Sequence, residues 1–172
     1  MDAPTDRIFL QFSAAKLKQM TSRITDCLNR LNHEQVWIRG SENENAIGNL
    51  VLHLCGNVSQ WIGTGVGGWP DERVRDREFA ARAEAGPPVL ADRLQGVMTE
   101  AISIIENVAT ERLTEKITLQ GYTVTILEAI YHVVEHFSYH AGQIIFATKQ
   151  LKAEDLDFYG HLSATAHAET TP

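Results

Sequence analysis

The sequence predicts an all-α fold, a four-helix bundle with one long inter-helix loop. Three observations point there. Apolar residues recur at steps of three and four in four separate segments, turn-forming residues divide those segments, and one connection, 64–86, turns Gly-rich and then strongly charged. The length of 172 residues suits one bundle domain, placed at 1–160, followed by a small polar tail, 161–172, that should fray.

The first helix is expected over about 6–32, where Ile8, Phe12, Ala15, Met20, Ile24, Cys27, Leu28 and Leu31 make an apolar face. Gly40 and the run Ser41 to Asn45 break the pattern, with Asn45 as a candidate N-cap for the second helix, about 46–63. That helix is unusual: no Asp, Glu, Lys or Arg occurs from Asn45 to Pro70. A surface helix carries a charged face, so this one should be enclosed on most sides. Asn49, His53, Asn57, Ser59 and Gln60 interrupt its apolar run, which excludes a membrane span of the required ~18 residues.

The connection 64–86 is long enough to be functional or mobile, and Phe79 to Glu84 could make a short helical turn. Pro87-Pro88 opens a third helix, ending near Thr110, with Val89, Leu90, Leu94, Val97, Met98, Ala101, Ile104, Ile105 and Val108 facing inward. The stretch around Gly121 is turn-like, with a little extended structure allowed. A fourth helix follows over about 123–151, with Leu127, Tyr131, Val134, Ala141 and Ile145 on one stripe. Thr125 and Glu128 stand at capping-box spacing at its start.

Fifteen Lys and Arg against 22 Asp and Glu leave a net charge of −7. That balance, without a basic stripe, argues against a nucleic-acid partner. Cys27 and Cys55 both fall in apolar helical patterns, and two buried reduced thiols fit a cytoplasmic protein. The N-terminus has neither a basic region nor a long apolar core and does not look like a signal peptide.

Chemistry is concentrated in histidines. His132, His136 and His140 recur at i, i+4 spacing and so lie along one side of the fourth helix. Two imidazoles one turn apart can converge on one ion; the alternative is a solvated face. At about 100° per residue, Glu128, Glu135, Tyr139 and Lys149 fall on the side that looks solvated. His132 lies nearer to them, whereas His136 and His140 lie toward Phe137 and Ile144. Glu135 therefore reads as a solvated or dimer-facing residue. His53, on the charge-free helix, must find hydrogen-bond partners if buried. A core histidine satisfied by neighbours and a third metal ligand are the two readings. Three neutral imidazoles would leave a divalent ion with an open position, as in catalytic sites, and favour Zn²⁺, Ni²⁺ or Fe²⁺ over Mg²⁺ or Ca²⁺. Gln143, Asn57 and Gln60 are candidates for hydrogen bonds behind those rings. Cys55 lies on the other side of its helix from His53, which argues against a Cys–His nucleophile. The charge run Arg75 to Glu78 reads by default as a salt-bridged loop.

The segment HFSYHAGQ from His136 to Gln143, together with NLVLH ending at His53, resembles the DinB/YfiT-like family of metal-dependent enzymes. IGNLVLHLCGN, RDREF and HVVEHFSYHAGQII resemble one branch without an assigned function, over nearly the whole chain to Tyr159. The resemblance implies a DinB-like four-helix bundle, often a homodimer, with a divalent metal on His53, His136 and His140. It also implies transfer of a low-molecular-weight thiol to an electrophilic small-molecule substrate, as a metal-dependent S-transferase. Metal-dependent hydrolysis is the alternative within the enzyme class. A non-catalytic, stress-related bundle that binds metal or ligand is the alternative outside it. The chain has Ala141 where an Arg often precedes Gly-Gln in the family, so a cation for an anionic thiol would have to come from Arg73, Arg75 or Arg77.

Overall fold

In a computed structural model, which describes residues 4–163, the chain forms six helices and one two-stranded hairpin. The helices are α1 (Thr5–Arg30), α2 (His33–Trp37), α3 (Ile47–Val58), α4 (Arg75–Ala80), α5 (Pro87–Asn107) and α6 (Ile126–Lys152). The strands are β1 (Lys116–Leu119) and β2 (Tyr122–Thr125). The bundle consists of α1, α3, α5 and α6. Helix α1 packs on α5 and α6, and α3 packs on the same two, so α1 and α3 stand across one diagonal. Leu17, Ile24, Leu54, Leu94, Met98 and Phe137 fill the centre and are fully buried. Among the described residues, no helix is long and apolar enough to cross a membrane. The expected tail from residue 164 onward, His167 included, lies outside the described residues.

Helix faces differ in detail from the sequence pattern. Ile8 and Phe12 are exposed, and Leu10, Ala14 and Leu17 take the buried face at that end of α1. In α6 the buried stripe runs through Ile130, Val133, Phe137, Ala141 and Ile144, leaving Tyr131 outside and Leu127 partly so. The charge-bearing side predicted solvated is solvated, but the core is centred on the flank with Phe137. His136 and His140 consequently sit at the border of the buried stripe, half-buried.

Two helix ends follow from local chemistry. Thr125 and Glu128 form a reciprocal capping box at the start of α6, the side-chain oxygen of each accepting the other's backbone N–H. Asn32 and Gln35 do the same for α2, a short helix that periodicity alone does not reveal. Asn45 does not cap α3. Ala46 holds that position, and the Asn49 amide oxygen accepts its backbone N–H.

The second helix is also not one continuous α-helix. After Val58 it widens into a π-helical turn, Ser59–Thr64, of the kind that recurs at functional sites. The hairpin closes on Gln120 and Gly121, both at positive φ (52° and 81°), which is type I′ turn geometry and suits the strand twist. Ile117 and Leu119 pack against the backbone at Gly65, where an added Cβ would lie 2.8 and 2.6 Å from their side chains.

The long connection is not loose. Residues 71–81 form a strap along α3, and α4 lies four residues earlier than the turn expected at 79–84. The Asn49 side-chain amide donates to the carbonyls of Glu78 (2.9 Å) and Ala81 (3.0 Å), which ends α4 and ties the strap down. Farther along, Gln60 donates to Asp71 at 2.7 Å. Asn49 and Gln60 of a charge-free segment are thus met by this strap.

Asn49→Ala removes the strap's tether and leaves two buried carbonyls without their donor. We expect a loss of about 2–4 kcal/mol in unfolding free energy, and faster tryptic cleavage after Arg73, Arg75, Arg77 or Arg82. Denaturant titration and timed proteolysis measure the two effects.

Candidate metal centre

His53 projects from the middle of α3 and is buried. His136 and His140 project from α6, which packs on α3. The structure brings the three rings together. Ring centroids lie 5.1 Å apart for His53–His136, 5.1 Å for His53–His140 and 4.6 Å for His136–His140. One nitrogen from each ring lies within 4.8 Å of the others. The Nε2 atoms of His53 and His136 are 2.9 Å apart, close enough to share a proton or a cation.

What stands behind each ring decides which nitrogen faces the centre. His53 Nδ1 lies 2.8 Å from Glu78 Oε2. A carboxylate can only accept, so Nδ1 carries the hydrogen and the Nε2 lone pair is turned toward His136. Glu78 in turn takes a two-pronged contact from Arg73, with Nε at 2.7 Å and Nη2 at 2.9 Å. Both side chains are nearly buried, at 5% and 10% exposure. An ion pair with so little water needs good geometry to offset its desolvation, and the forked contact supplies it. Burial pushes the Glu78 carboxyl up, but hydrogen bonds from Arg73 and His53 outweigh it and hold the group below the usual range. Gly56 makes the room: a Cβ there would lie 2.0 Å from Glu78 Oε1 and 3.0 Å from Arg73 Nε.

His140 Nδ1 lies 2.8 Å from Gln143 Oε1, so the amide oxygen accepts from it and Nε2 is left with its lone pair. Burial lowers the pKa values of all three α6 histidines, and for His136 the proximity of His140, His53 and His132 adds to it, down to about 4. His132 stacks on His136 at 5.5 Å and meets the Trp61 ring at 4.8 Å, so it is packed against the cluster rather than solvated.

The donor set fits a divalent cation. Zinc–nitrogen bonds of about 2.0–2.1 Å imply nitrogens about 3.3 Å apart around a tetrahedral ion, and the observed separations, from 2.9 Å to at most 4.8 Å, bracket that value. A carboxylate behind one imidazole and an amide behind another match the way ligating histidines are held elsewhere.

Other sequence candidates are distributed differently. Gln60 does not reach a histidine; it accepts from Arg73 (3.0 Å) and from Gln120 of the hairpin (2.6 Å), and so supports the ring of His53 only through Arg73 and Glu78. Asn57 lines a cavity of about 380 Å³ beside the cluster, together with Trp61, Arg75, Tyr122 and His132. Its Oδ1 is buried without a partner, as is Trp61 Nε1, each at a cost of about 1–3 kcal/mol. Of the three loop arginines, Arg73 is committed to Glu78. Arg75 lines the histidine cavity, and Arg77 lines a separate cavity with Cys55 and Arg93. Burial pushes the Cys55 thiol up to about 12, so it is no nucleophile near neutral pH. Glu135 is exposed.

Sequence reasoning missed Glu78, which the charge run Arg75 to Glu78 disguised as a surface cluster. The available signal was an unmet demand: a buried histidine on a helix without charges needs an acceptor from elsewhere, and the charged loop was the nearest source in sequence.

None of the curated proteins matches the chain. Solved structures similar to it include a DinB-like protein from Bacillus cereus (TM-score 0.65, 16% identity, covering 83% of this chain and 90% of that one). A conserved protein from Enterococcus faecalis has a TM-score of 0.69 at 15% identity, covering 84% and 97%. A DinB-like protein from Bacillus subtilis has a TM-score of 0.66 at 17% identity, covering 86% and 96%. At such identities the likeness speaks for the fold. The family described as "Protein of unknown function (DUF1572)" matches residues 5–163, and the chain, DinB-like in fold, belongs to that family.

Proposed function

We propose that His53, His136 and His140 hold a divalent cation, Zn²⁺ or Ni²⁺ before Fe²⁺, and that the site activates a low-molecular-weight thiol for transfer to an electrophile. The observation that carries the metal reading is the convergence of three ring nitrogens within 4.8 Å, one of them backed by a buried carboxylate. A divalent ion there supplies Lewis acidity, lowering the pKa of a thiol or water that joins it.

The protein's own residues favour a nucleophile that arrives with the substrate. Glu78 is neutralised by Arg73. Glu128, the carboxylate that lines the cavity among the described residues, accepts from the Thr125 backbone N–H and hydroxyl at the cap of α6. Cys55 is inert and on the wrong side. Among the described residues no carboxylate on the cavity walls is free of partners to take a proton from water, and a thiol, far more acidic than water, ionises without one.

His140→Ala should abolish stoichiometric metal binding while the bundle stays folded, read by elemental analysis of protein purified without a histidine tag and by circular dichroism. Retained stoichiometric metal would contradict the ligand set. Turnover of a chromogenic electrophile by the loaded protein should depend on added thiol; thiol-independent ester cleavage would favour hydrolysis.

Glu78→Gln keeps an acceptor for His53 but loses the charge, and should weaken metal affinity about 10–100-fold, measured by competition with a chelating dye.

The lowered histidine values set a pH dependence. At pH 7 the His136 ring is neutral with its lone pair available, and protons compete for it only as the pH falls toward about 4. Protons should therefore displace metal from His136 and His140 at lower pH than from histidines of ordinary pKa, about 6.5, read as metal content against pH. Without metal, the unfolded chain takes up this proton first, so stability should fall as pH drops from about 6.5 and level off below the folded value. Thermal melts of chelator-treated protein across that window check the sign.

A further inference from the structure

Helix α6 turns one side to the core and the histidines, and its opposite face is exposed through Glu135, Ser138, Gly142, Phe146 and Lys149. Gly142 lies at the middle of that face. A Cβ built on it meets no atom within 4 Å, so no neighbour in the chain calls for a glycine there, although glycine weakens a helix interior relative to alanine. At about 100° per residue, positions three, four and seven from it share its side of the helix. Toward the N-terminus these are Tyr139, Ser138 and Glu135, and toward the C-terminus Ile145, Phe146 and Lys149. Tyr139 is 62% exposed and Phe146 63%, as is Tyr131, at 62%, one turn before Glu135. Aromatic side chains left this open on one helix face mark an interaction surface.

The face is complementary to itself. When two copies of α6 lie antiparallel across a two-fold axis at Gly142, each residue meets the one equally far on the other side of that glycine. Ser138 then leaves room for the Phe146 ring of the second copy, Tyr139 meets Ile145, and Glu135 meets Lys149, every pair occurring twice. At the axis two bare backbones cross, where larger side chains would hold the helices apart. Glu135 is exposed and has no ion-pair partner among the described residues. Lys149 has the exposed Asp155 at 3.5 Å. A parallel pairing in register would instead set Glu135 against Glu135 and Lys149 against Lys149.

We propose that the chain pairs with a second copy of itself through this face, α6 against α6 in antiparallel, with the two-fold axis at Gly142. The occupant is a second copy because large meets small and acid meets base at positions related by one glycine. Tyr139 lies edge-on to His140 at 5.1 Å, so the pairing also covers the outer side of a ring in the histidine cluster. The interface itself does not need a metal, and its fate is separate from that of the metal reading.

The test is sedimentation equilibrium of the full chain, metal-free and metal-loaded, with circular dichroism to confirm that each variant keeps its helices. The wild-type protein should be a dimer in both forms. Gly142→Leu should give a folded monomer, because leucine suits an exposed helix position but not a close helix crossing. Glu135→Lys and Lys149→Glu each bring like charges together twice and should weaken the dimer by about tenfold or more. Mixed in equal amounts, these two variants should recover wild-type association, because the reversed charge of each meets its opposite on the other. Only a pairing that sets position 135 against position 149 gives that recovery. A monomeric wild-type protein, a dimer that survives Gly142→Leu, charge variants that associate as the wild type does, or a mixture that fails to recover would overturn the proposal.

Discussion

The hydrogen bond from His53 Nδ1 to Glu78 organises the rest of the molecule. A buried imidazole with one nitrogen committed to a carboxylate has its other nitrogen, and that nitrogen's lone pair, aimed in a single direction. For the carboxylate to be there at all, a charged group had to be brought against a helix that carries no charge of its own. Arg73 neutralises it, Gly56 leaves the space, and Asn49 holds the backbone from which it projects. The unusual composition of α3 and the length of the connection to α5 are therefore two sides of one arrangement.

Electrostatics and packing reinforce each other around that contact. Glu78 stays ionised in spite of burial because two donors converge on it, and Arg73 stays buried because a forked acceptor meets it. Gln60 joins Arg73 to the hairpin through Gln120, so three elements far apart in sequence share one hydrogen-bonded network. The rings on α6 are lowered in pKa by the same enclosure, which keeps them neutral in the range where a cation competes with protons.

Much of this was legible in the sequence, and the reasons differ by residue. The four long helices follow from apolar periodicity, and the start of α6 from the Thr125–Glu128 pair. The proximity of His136 to His140 is local geometry on one helix. Placing His53 near them required the additional inference that a charge-free helix is enclosed. The rotation of the buried stripe on α6 was not legible, because Leu127 and Tyr131 are apolar enough to pass for core and only the neighbouring helices decide which face turns inward. The π-helical turn at Ser59–Thr64 leaves no compositional trace. Glu78 and α4 were hidden for a further reason: a charge run in a loop has the same composition whether it faces water or a buried histidine, and only long-range partners distinguish the two.

The strap along α3 also sets a condition on anyone who would transplant this centre. Three histidines copied onto two helices of another bundle would reproduce the ligand types but not their orientation. The first ring could flip, and its helix would show water a row of amides with nothing to hold. A working graft has to carry the segment from Asp71 to Ala81 together with the glycine that admits it, as a single cassette.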